Sequence, residues 1–363
     1  MNFSTDIEEI KEAVNSFDPR YYARTRNFTN GSVSRLSPYI SRGVISTRDV
    51  MQNLIERSYD LLRIEKFIQE LAWRDYWQQV WIAKDDLIFN DFKHAQLAVE
   101  YHGIPSAIVK GETGIYAIDE SIKEFYTTGY MHNHIRMYLA AITCNVGHYH
   151  WKSPARWLYY HLLDGDLASN HLSWQWVAGS NANKKYIANQ DNINKYCHSD
   201  QKGTFLDISY DELAQIETPD RLQEEYNQEL EVSLPRGEEI EVRSELPTYI
   251  YNWYNLDADW DIEQEANRIL LIEPSIFSKH PISEQSMKFM LDLSKNIENI
   301  QVYVGEFSTL KSEYSLAEIH YKEHPLNSTY SGIEHPRDWM FNVSGYFASF
   351  FGFWKKCKKE LIK

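Results

Sequence analysis

The chain has 363 residues and a formal net charge of −15, and its 43% hydrophobic and 25% charged side chains are the balance of an ordinary globular protein. No apolar run approaches the roughly 18–20 residues that a membrane span needs, and the polar, acidic residues 1–15 are unlike a secretory signal. Three widely spaced cysteines predict neither a disulfide framework nor a four-thiolate metal site, so a cytoplasmic protein is expected.

The negative charge is concentrated in the second half of the chain. Residues 1–200 hold 21 Lys and Arg against 23 Asp and Glu, whereas residues 201–363 hold 16 against 29. Because nucleic acid is attracted to positive surfaces, the first half can still present a basic face to it, but the second half is a poor candidate. The acidic half is instead a candidate docking surface for a protein partner.

Helical periodicity dominates the first half. A helix is predicted over 46–84, with Ser46 or Thr47 as its N-cap and Asp49 in the first turn, where the helix dipole favours an anion. Residues 85–113 are less regular. Further helices, punctuated by glycine and proline, are predicted over 117–128, 130–147, 154–163 and 166–178.

The pattern changes after an acidic segment, residues 206–262, which is predicted to be helix and exposed linker. Beyond it, apolar runs and helical periodicity alternate, which predicts a small parallel α/β unit over 263–363. Its predicted elements are a strand over 268–272, a helix over 283–297, strands over 300–304 and 316–321, and an aromatic, then basic, C-terminal helix over 343–361.

The most informative string is DGDLASNHLSWQW at 164–176. Asp166 can cap the helix that follows, and Asn170 and Trp174 share one face of it because they are four residues apart. Trp176 points elsewhere. Capping acids and core tryptophans would explain each residue singly, but the string as a whole is much more specific.

A second string, at 128–137, places Asn133, Arg136 and Met137 on one helical face. A buried arginine needs an acidic partner, and Asp164 is the candidate. A purely structural ion pair is the alternative.

Two further strings carry weaker signals. Glu70, Trp73 and Arg74 meet on one helical face, although an aromatic stripe of this kind is more often core than ligand surface. The string SRLSPY at 34–39 offers hydroxyls and an arginine just before a helical region, which could hold a phosphate.

Together, in this order and spacing, the four strings resemble the FAD-binding domain of photolyases and cryptochromes, over residues 20 to 205. Segments 22–28 and 111–119 support the match. The resemblance implies a mainly α fold: an all-helical FAD-binding domain over 1–205, followed by the acidic helix and linker and then the small α/β unit.

The resemblance also implies roles for individual residues. Arg136 and Asp164 would flank the isoalloxazine, and Asn170 would face flavin N5, where a carboxamide can donate or accept. Trp174 and Trp151 resemble the first two members of the photoreduction chain. No tryptophan lies near Ala98, where the third is expected, so Tyr101 or another aromatic would substitute or photoreduction would be slow. The implied cofactor contacts are Tyr22, Ser34, Arg35, Leu36, Ser37, Phe67, Arg74, Asn133, Arg136, Asp164, Asp166 and Asn170.

A pocket for a cyclobutane pyrimidine dimer is implied by Glu70, Trp73, Asn133, Met137 and Trp176. Flipping a dimer out of DNA costs a few kcal/mol, and two indoles would replace the lost stacking at roughly 1–3 kcal/mol per base. Enzymes of this family that act on the (6-4) lesion carry histidines in the region of Asn133 and Met137, so the cyclobutane lesion is favoured.

The function predicted is therefore light-driven repair of damaged DNA, by electron transfer from reduced FAD, with Asn170, Trp174, Trp151 and Glu70 in catalytic roles. A blue-light sensor without repair activity and a flavin-free DNA-binding scaffold are the alternatives.

Two departures from the family pattern shape further expectations. The motifs begin at Tyr22, so we expect the family's N-terminal antenna domain to be missing, and the later α/β unit is expected to be a rearranged or shortened counterpart without an antenna chromophore. Segment 189–197 resembles the iron–sulfur branch of the family, but its companion cysteines are missing, so no metal is expected.

Overall fold

The computed structural model describes residues 2–182, 184–227, 229–237 and 239–361. The chain divides into two compact units, which do not follow the predicted boundaries at 205 and 262. Residues 18–33 and 77–230 form the first unit, and residues 2–17, 34–76 and 231–363 form the second. The predicted helical domain, 1–205, is therefore distributed over both units.

The first unit is predominantly helical, and its apolar core gathers side chains such as Phe125, Leu139 and Trp157, which are at most 1% exposed. Its only sheet in the described residues pairs the short antiparallel strands β1, Ile104–Pro105, and β2, Glu225–Tyr226. Its helical segments are Pro19–Tyr21, Tyr22–Thr25, Asp85–Phe89, Ser106–Lys110, Tyr116–Thr128, Asn133–Ala141, Ile142–Val146, Lys152–His161, Leu167–Ala178, Gln190–Cys197, Tyr210–Leu213 and Asp220–Gln223.

The helix ends of this unit follow the sequence signals. Asp166 caps the helix Leu167–Ala178, because its side chain accepts a hydrogen bond from the backbone N–H of Ser169. Gly129 ends the helix Tyr116–Thr128 with φ of 66°, and a Cβ there would lie 2.6 Å from Leu163 Cγ. Both signals are local, which is why the pattern predicts them.

The second unit carries helices on a parallel sheet. The helix Glu65–Lys84 begins in this unit and ends in the first. The other helical segments are Ile7–Ser16, Ser37–Ser41, Thr47–Glu56, Pro274–Lys279, Glu284–Ser294, Phe307–Glu313, Pro325–Asn327 and Phe350–Leu361.

The prediction of a single helix over 46–84 is wrong in the middle of that segment. Ser46 caps its start and Asp49 lies in the first turn, as predicted, and the two form a capping box, but the helix ends at Glu56. Ser58 then adopts a left-handed conformation with φ of 60°, and the Asp60 carboxylate accepts a hydrogen bond from Leu62 N. Because these turn contacts replace helical ones, regular structure resumes only at Glu65.

The sheet of the second unit has five strands in the described residues: β3 Thr248–Tyr251, β4 Asn267–Ile272, β5 Ile300–Val304, β6 Ile319–Lys322 and β7 Ile333–His335. The strands are parallel and lie in the order β5-β4-β3-β6-β7. The chain starts at the central strand, adds two strands on one side and then two on the other, which is the order of a doubly wound sheet.

The predicted strands correspond to β4, β5 and β6, whereas the pattern misses β3 and β7. Strand β3 lies inside the predicted linker 206–262, and its four residues are all buried. A central parallel strand is covered on both faces, so it shows no polar–apolar alternation. The fold is therefore mixed α/β rather than mainly α.

Among the described residues, the helices are too short or too polar for any of them to cross a membrane.

Candidate functional site

A partly buried ion pair joins Arg136 and Asp164 in the first unit. Nη2 of Arg136 lies 3.0 and 2.9 Å from the two oxygens of Asp164, and Nε donates to the carbonyl of Met131 at 2.8 Å. The side chain of Asp164 is only 5% exposed. The predicted pairing is thus confirmed. Removing Arg136 would leave the buried charge of Asp164 without its partner, at a cost of up to roughly 3–5 kcal/mol, whereas the Arg136 side chain is 21% exposed and keeps some contact with water.

Both carboxylate oxygens of Asp166, two residues after Asp164, accept hydrogen bonds. Oδ1 accepts from Ser169 N and Oδ2 from Gln78 Nε2, each at 2.7 Å. The Ser169 hydroxyl beside it is buried and has no hydrogen-bond partner among the residues that the structure describes. Buried hydroxyls are nearly always hydrogen-bonded, so this position suits an additional polar group.

Asn170 is half-buried on the next turn. Its Nδ2 donates to the carbonyl of Ala155 at 2.7 Å, which leaves the carboxamide oxygen as an acceptor. Trp174, one turn later, is 3% exposed, and it belongs to the same apolar cluster as Trp151.

Trp151 is completely buried, and its Nε1 donates to Asp91 Oδ1 at 2.7 Å. Sequence reasoning missed Asp91, because the two residues are 60 positions apart and no local pattern connects them. Tyr101, the suggested third relay member, stacks on Tyr149 with ring centroids 4.7 Å apart. Its place in a relay stays a prediction.

The remaining predicted residues of the first unit lie closer to solvent. Asn133 is exposed at the start of its helix, and Met137, one turn later, is half-buried, as is Tyr22 at the start of Tyr22–Thr25. Trp176 is 39% exposed, which makes it the one exposed tryptophan of this unit, and its ring lies 6.1 Å from that of Tyr186.

The predicted phosphate segment lies in the second unit. Arg35 is exposed and left-handed, with φ of 56°, whereas Leu36 is buried. Ser34 Oγ accepts from Leu36 N at 3.4 Å, and Ser37 begins the short helix Ser37–Ser41. Phosphate binding by this segment stays a prediction.

The helix that begins at Glu65 carries the other predicted residues of the second unit. Arg74 donates to Ser41 Oγ at 2.9 Å, and Glu70 pairs with Lys66 at 2.8 Å. Phe67 is 3% exposed with its ring 4.8 Å from that of Phe17, which is a core position. Its predicted contact with a cofactor stays a prediction.

Trp73, which is predicted to stack on a substrate, has a stacking partner within its own unit. Its ring is parallel to that of Phe350, with centroids 3.9 Å apart. The sequence identifies the C-terminal segment as an aromatic helix but gives no sign of where it packs.

Asp75, next to Arg74, is a further buried acid that sequence reasoning missed. Its oxygens accept from Thr47 Oγ1 at 2.9 Å and from Met340 N at 3.0 Å. Burial raises the pKa of Asp75 to about 6, despite these hydrogen bonds and the nearby arginines.

In the described residues, no three His, Cys, Asp or Glu side chains come together in a way that could hold a metal ion.

The start of the helix Leu167–Ala178 thus brings the doubly held Asp166 and the Ser169 hydroxyl, which has no partner among the described residues, close in sequence to Asp164, the partner of Arg136. The chain belongs to the photolyase and cryptochrome family, because residues 67–259, slightly more than half of it, match the FAD-binding domain of DNA photolyase. FAD is its cofactor. This finding disfavours the flavin-free alternative.

Similar proteins include a deoxyribodipyrimidine photo-lyase of Streptomyces griseus, 30% identical over 51% of this chain and 41% of that one. One of Alkalihalophilus pseudofirmus is 28% identical over 54% of this chain and 42% of that one. The chain thus spans less than half the length of these relatives. A solved Synechocystis cryptochrome is 23% identical, with a TM-score of 0.49 over 54% of this chain and 44% of that one.

Proposed function

We propose that the protein is a light-driven repair lyase that splits cyclobutane pyrimidine dimers in DNA. The observation that carries the proposal is the contrast between two tryptophans on one helix: Trp174 is buried and Trp176 is 39% exposed. An exposed indole offers a flat apolar surface, and a base flipped out of DNA is a ligand that can stack on it.

The first unit supplies groups that suit the flavin. Arg136, held by Asp164, offers a fixed positive charge, and Asn170 offers a carboxamide oxygen whose direction is set by the bond from Nδ2 to Ala155. Ser169 supplies a buried hydroxyl that needs a partner. The bound flavin supplies the redox chemistry, whereas these residues supply position and electrostatics.

The same unit offers groups for the lesion. Trp176 provides a stacking surface, and exposed Asn133 provides a carboxamide that can pair with a thymine edge. Met137, four residues after Asn133, adds an adaptable apolar contact. A cyclobutane dimer combines flat apolar rings with imide edges, so these residue types suit it.

The test is a repair assay under blue light, with a reductant and an oligonucleotide that contains one thymine dimer. We expect restored thymines only in the light and only with flavin bound. Full flavin occupancy without any repair would contradict the lyase proposal.

A blue-light sensor is the second candidate, and the contact between Trp73 and Phe350 favours it. A stacking surface that is already covered by the chain's own phenyl ring is less accessible to a substrate. In that case, the acidic residues 201–363 are the proposed docking surface for a protein partner. Light-dependent exposure of the C-terminal helix to protease, without repair, would support the sensor.

A further inference from the structure

Trp151 is connected to solvent through one carboxylate. The indole is completely buried, and its single N–H donates to Asp91 Oδ1 at 2.7 Å. Oδ2 of Asp91 accepts from the backbone N–H of Gln96 at 2.9 Å, and the Nε2 atom of His150 lies 3.4 Å from Oδ1. The side chains of Asp91 and His150 are 25% and 19% exposed, so they lie between the buried indole and water.

Burial makes a positive charge on this indole costly. Trp151 lies in an apolar cluster that also contains Trp174, and an uncompensated charge in such surroundings is strongly disfavoured. Loss of one electron turns an indole into a radical cation, whose N–H is far more acidic than that of the neutral indole. Moving that proton to a carboxylate along an existing hydrogen bond removes the charge from the apolar cluster.

A second buried tryptophan of the same unit provides a comparison. Trp157 is 1% exposed, but its Nε1 donates to the hydroxyl of Tyr126 at 3.2 Å. A neutral phenol is a far weaker base than a carboxylate, so it cannot keep the proton of an oxidised indole. Of these two buried indoles, Trp151 is therefore the one that is suited to remain oxidised.

We propose that Asp91 accepts the indole proton of Trp151 when this residue is oxidised, which makes Trp151 the end of the electron relay. The inference rests on the proposed function, because the reduced FAD that repair requires would form when light-excited, oxidised FAD takes an electron from Trp174. One electron passes from Trp151 to oxidised Trp174, the N–H bond of Trp151 breaks, and an O–H bond forms on Asp91. The products are a neutral indole radical and a carboxylic acid, and an external thiol can later return the electron and the proton.

This assignment explains how the chain can do without a third tryptophan. Of the unit's tryptophans, Trp176 alone is exposed, and it is not a predicted member of the relay. Because Asp91 takes the proton of Trp151, the relay does not require a surface indole that passes its proton directly to water. Proton transfer to Asp91 slows the return of the electron, because the return would then require the proton as well.

The experiment is a flash measurement on the FAD-loaded protein, in visible and infrared absorption. In the parent protein we expect a neutral tryptophan radical, a simultaneous carbonyl band of a newly protonated carboxyl group, and slower radical formation in D₂O. In Asp91→Asn, which keeps a hydrogen-bond acceptor but cannot take the proton, we expect loss of the carboxyl band and of the long-lived neutral radical. Asp91→Glu should restore both signals.

Asp191→Asn is the matched control, since Asp191 is an exposed carboxylate of the same unit that pairs with Lys202. It should behave like the parent protein. Intrinsic fluorescence and thermal unfolding of the flavin-free variants will show that Trp151 stays in place without Asp91.

The two ideas can fail separately. If no tryptophan radical forms in the fully loaded parent protein, the proposed photochemistry fails. If the neutral radical forms in the parent without a carboxyl band, or forms equally well in Asp91→Asn, the role of Asp91 is overturned while the photochemistry stands.

Discussion

The indole of Trp73 and the phenyl ring of Phe350 lie face to face, with centroids 3.9 Å apart and planes 9° apart. Phe350 begins the C-terminal helix, which is also held by Glu65. The Glu65 carboxylate accepts from Lys358 at 2.8 Å and from Trp354 Nε1 at 3.2 Å. The helix therefore covers the ring surface on which a substrate base is predicted to stack.

Weakening this contact should favour substrate binding. Phe350→Leu keeps the apolar character but loses the ring stacking, which is worth about 0.5–1.5 kcal/mol. If a base competes for Trp73, its affinity should rise by up to about tenfold, since 1.4 kcal/mol corresponds to a factor of ten. Titration of dimer-containing DNA, followed by fluorescence anisotropy, measures the change.

Phe351→Leu is the control, because Phe351 is 70% exposed and lies on the same helix. It should leave the affinity as it is in the parent protein. An equal affinity for parent and Phe350→Leu would show that the C-terminal helix does not compete with the substrate.

Loss of Asp164 should release the flavin. Asp164→Ala removes the carboxylate that holds the partly buried Arg136 guanidinium in place, so we expect most of the purified variant to lack FAD. The ratio of flavin to protein absorbance measures the loss. Asp200→Ala removes an exposed carboxyl of the same unit and should remain fully yellow. A variant at Asp164 as yellow as the parent would remove this residue from the cofactor site.

These residues show how far the sequence predicts the site. The pairing of Arg136 with Asp164 could be predicted because a buried guanidinium requires an acid, and the cap by Asp166 because it is made within three residues. The contacts of Trp73 with Phe350 and of Trp151 with Asp91 could not, since they join distant segments through tertiary packing alone.

The fold divides in the same way. The strands β4 and β5 are short segments rich in branched apolar residues, and the sequence predicts them closely. The pattern misses β3 because its four residues are buried on both faces, and it misses the end of the helix Thr47–Glu56 because polar turn contacts outweigh helical periodicity there.

Trp176 should matter for the lesion but not for the flavin. Stacking on an aromatic ring is worth roughly 1–3 kcal/mol per base, so Trp176→Ala should weaken binding of dimer-containing DNA by about 5- to 150-fold. Flavin content should stay at the parent level. Tyr116→Ala, at a tyrosine that is 63% exposed in the same unit, is the control and should bind the lesion normally. Normal lesion affinity in Trp176→Ala would exclude its indole from the pocket.

Asp75 should make stability depend on pH in a direction opposite to that of most acids. Burial raises its pKa from 3.8 to about 6 in the folded protein, so the proton is held more tightly in the folded than in the unfolded state. The contribution of Asp75 to stability is therefore largest below pH 4 and is lost as the pH rises from about 4 to about 6. About two pKa units correspond to roughly 3 kcal/mol.

Asp75→Asn cannot ionise, so the difference between its free energy of unfolding and that of the parent protein should shift in favour of the variant as the pH rises from about 4 to about 6. Above about pH 6 this difference should stay constant. Denaturant titrations at several pH values between 3.5 and about 7.5 measure the difference. Asp259→Asn, at an exposed aspartate of the same unit, is the control variant in the same titrations. A flat difference for Asp75→Asn would show that its carboxyl group titrates alike in the folded and unfolded states, and that burial between Thr47 and Met340 does not hold its proton.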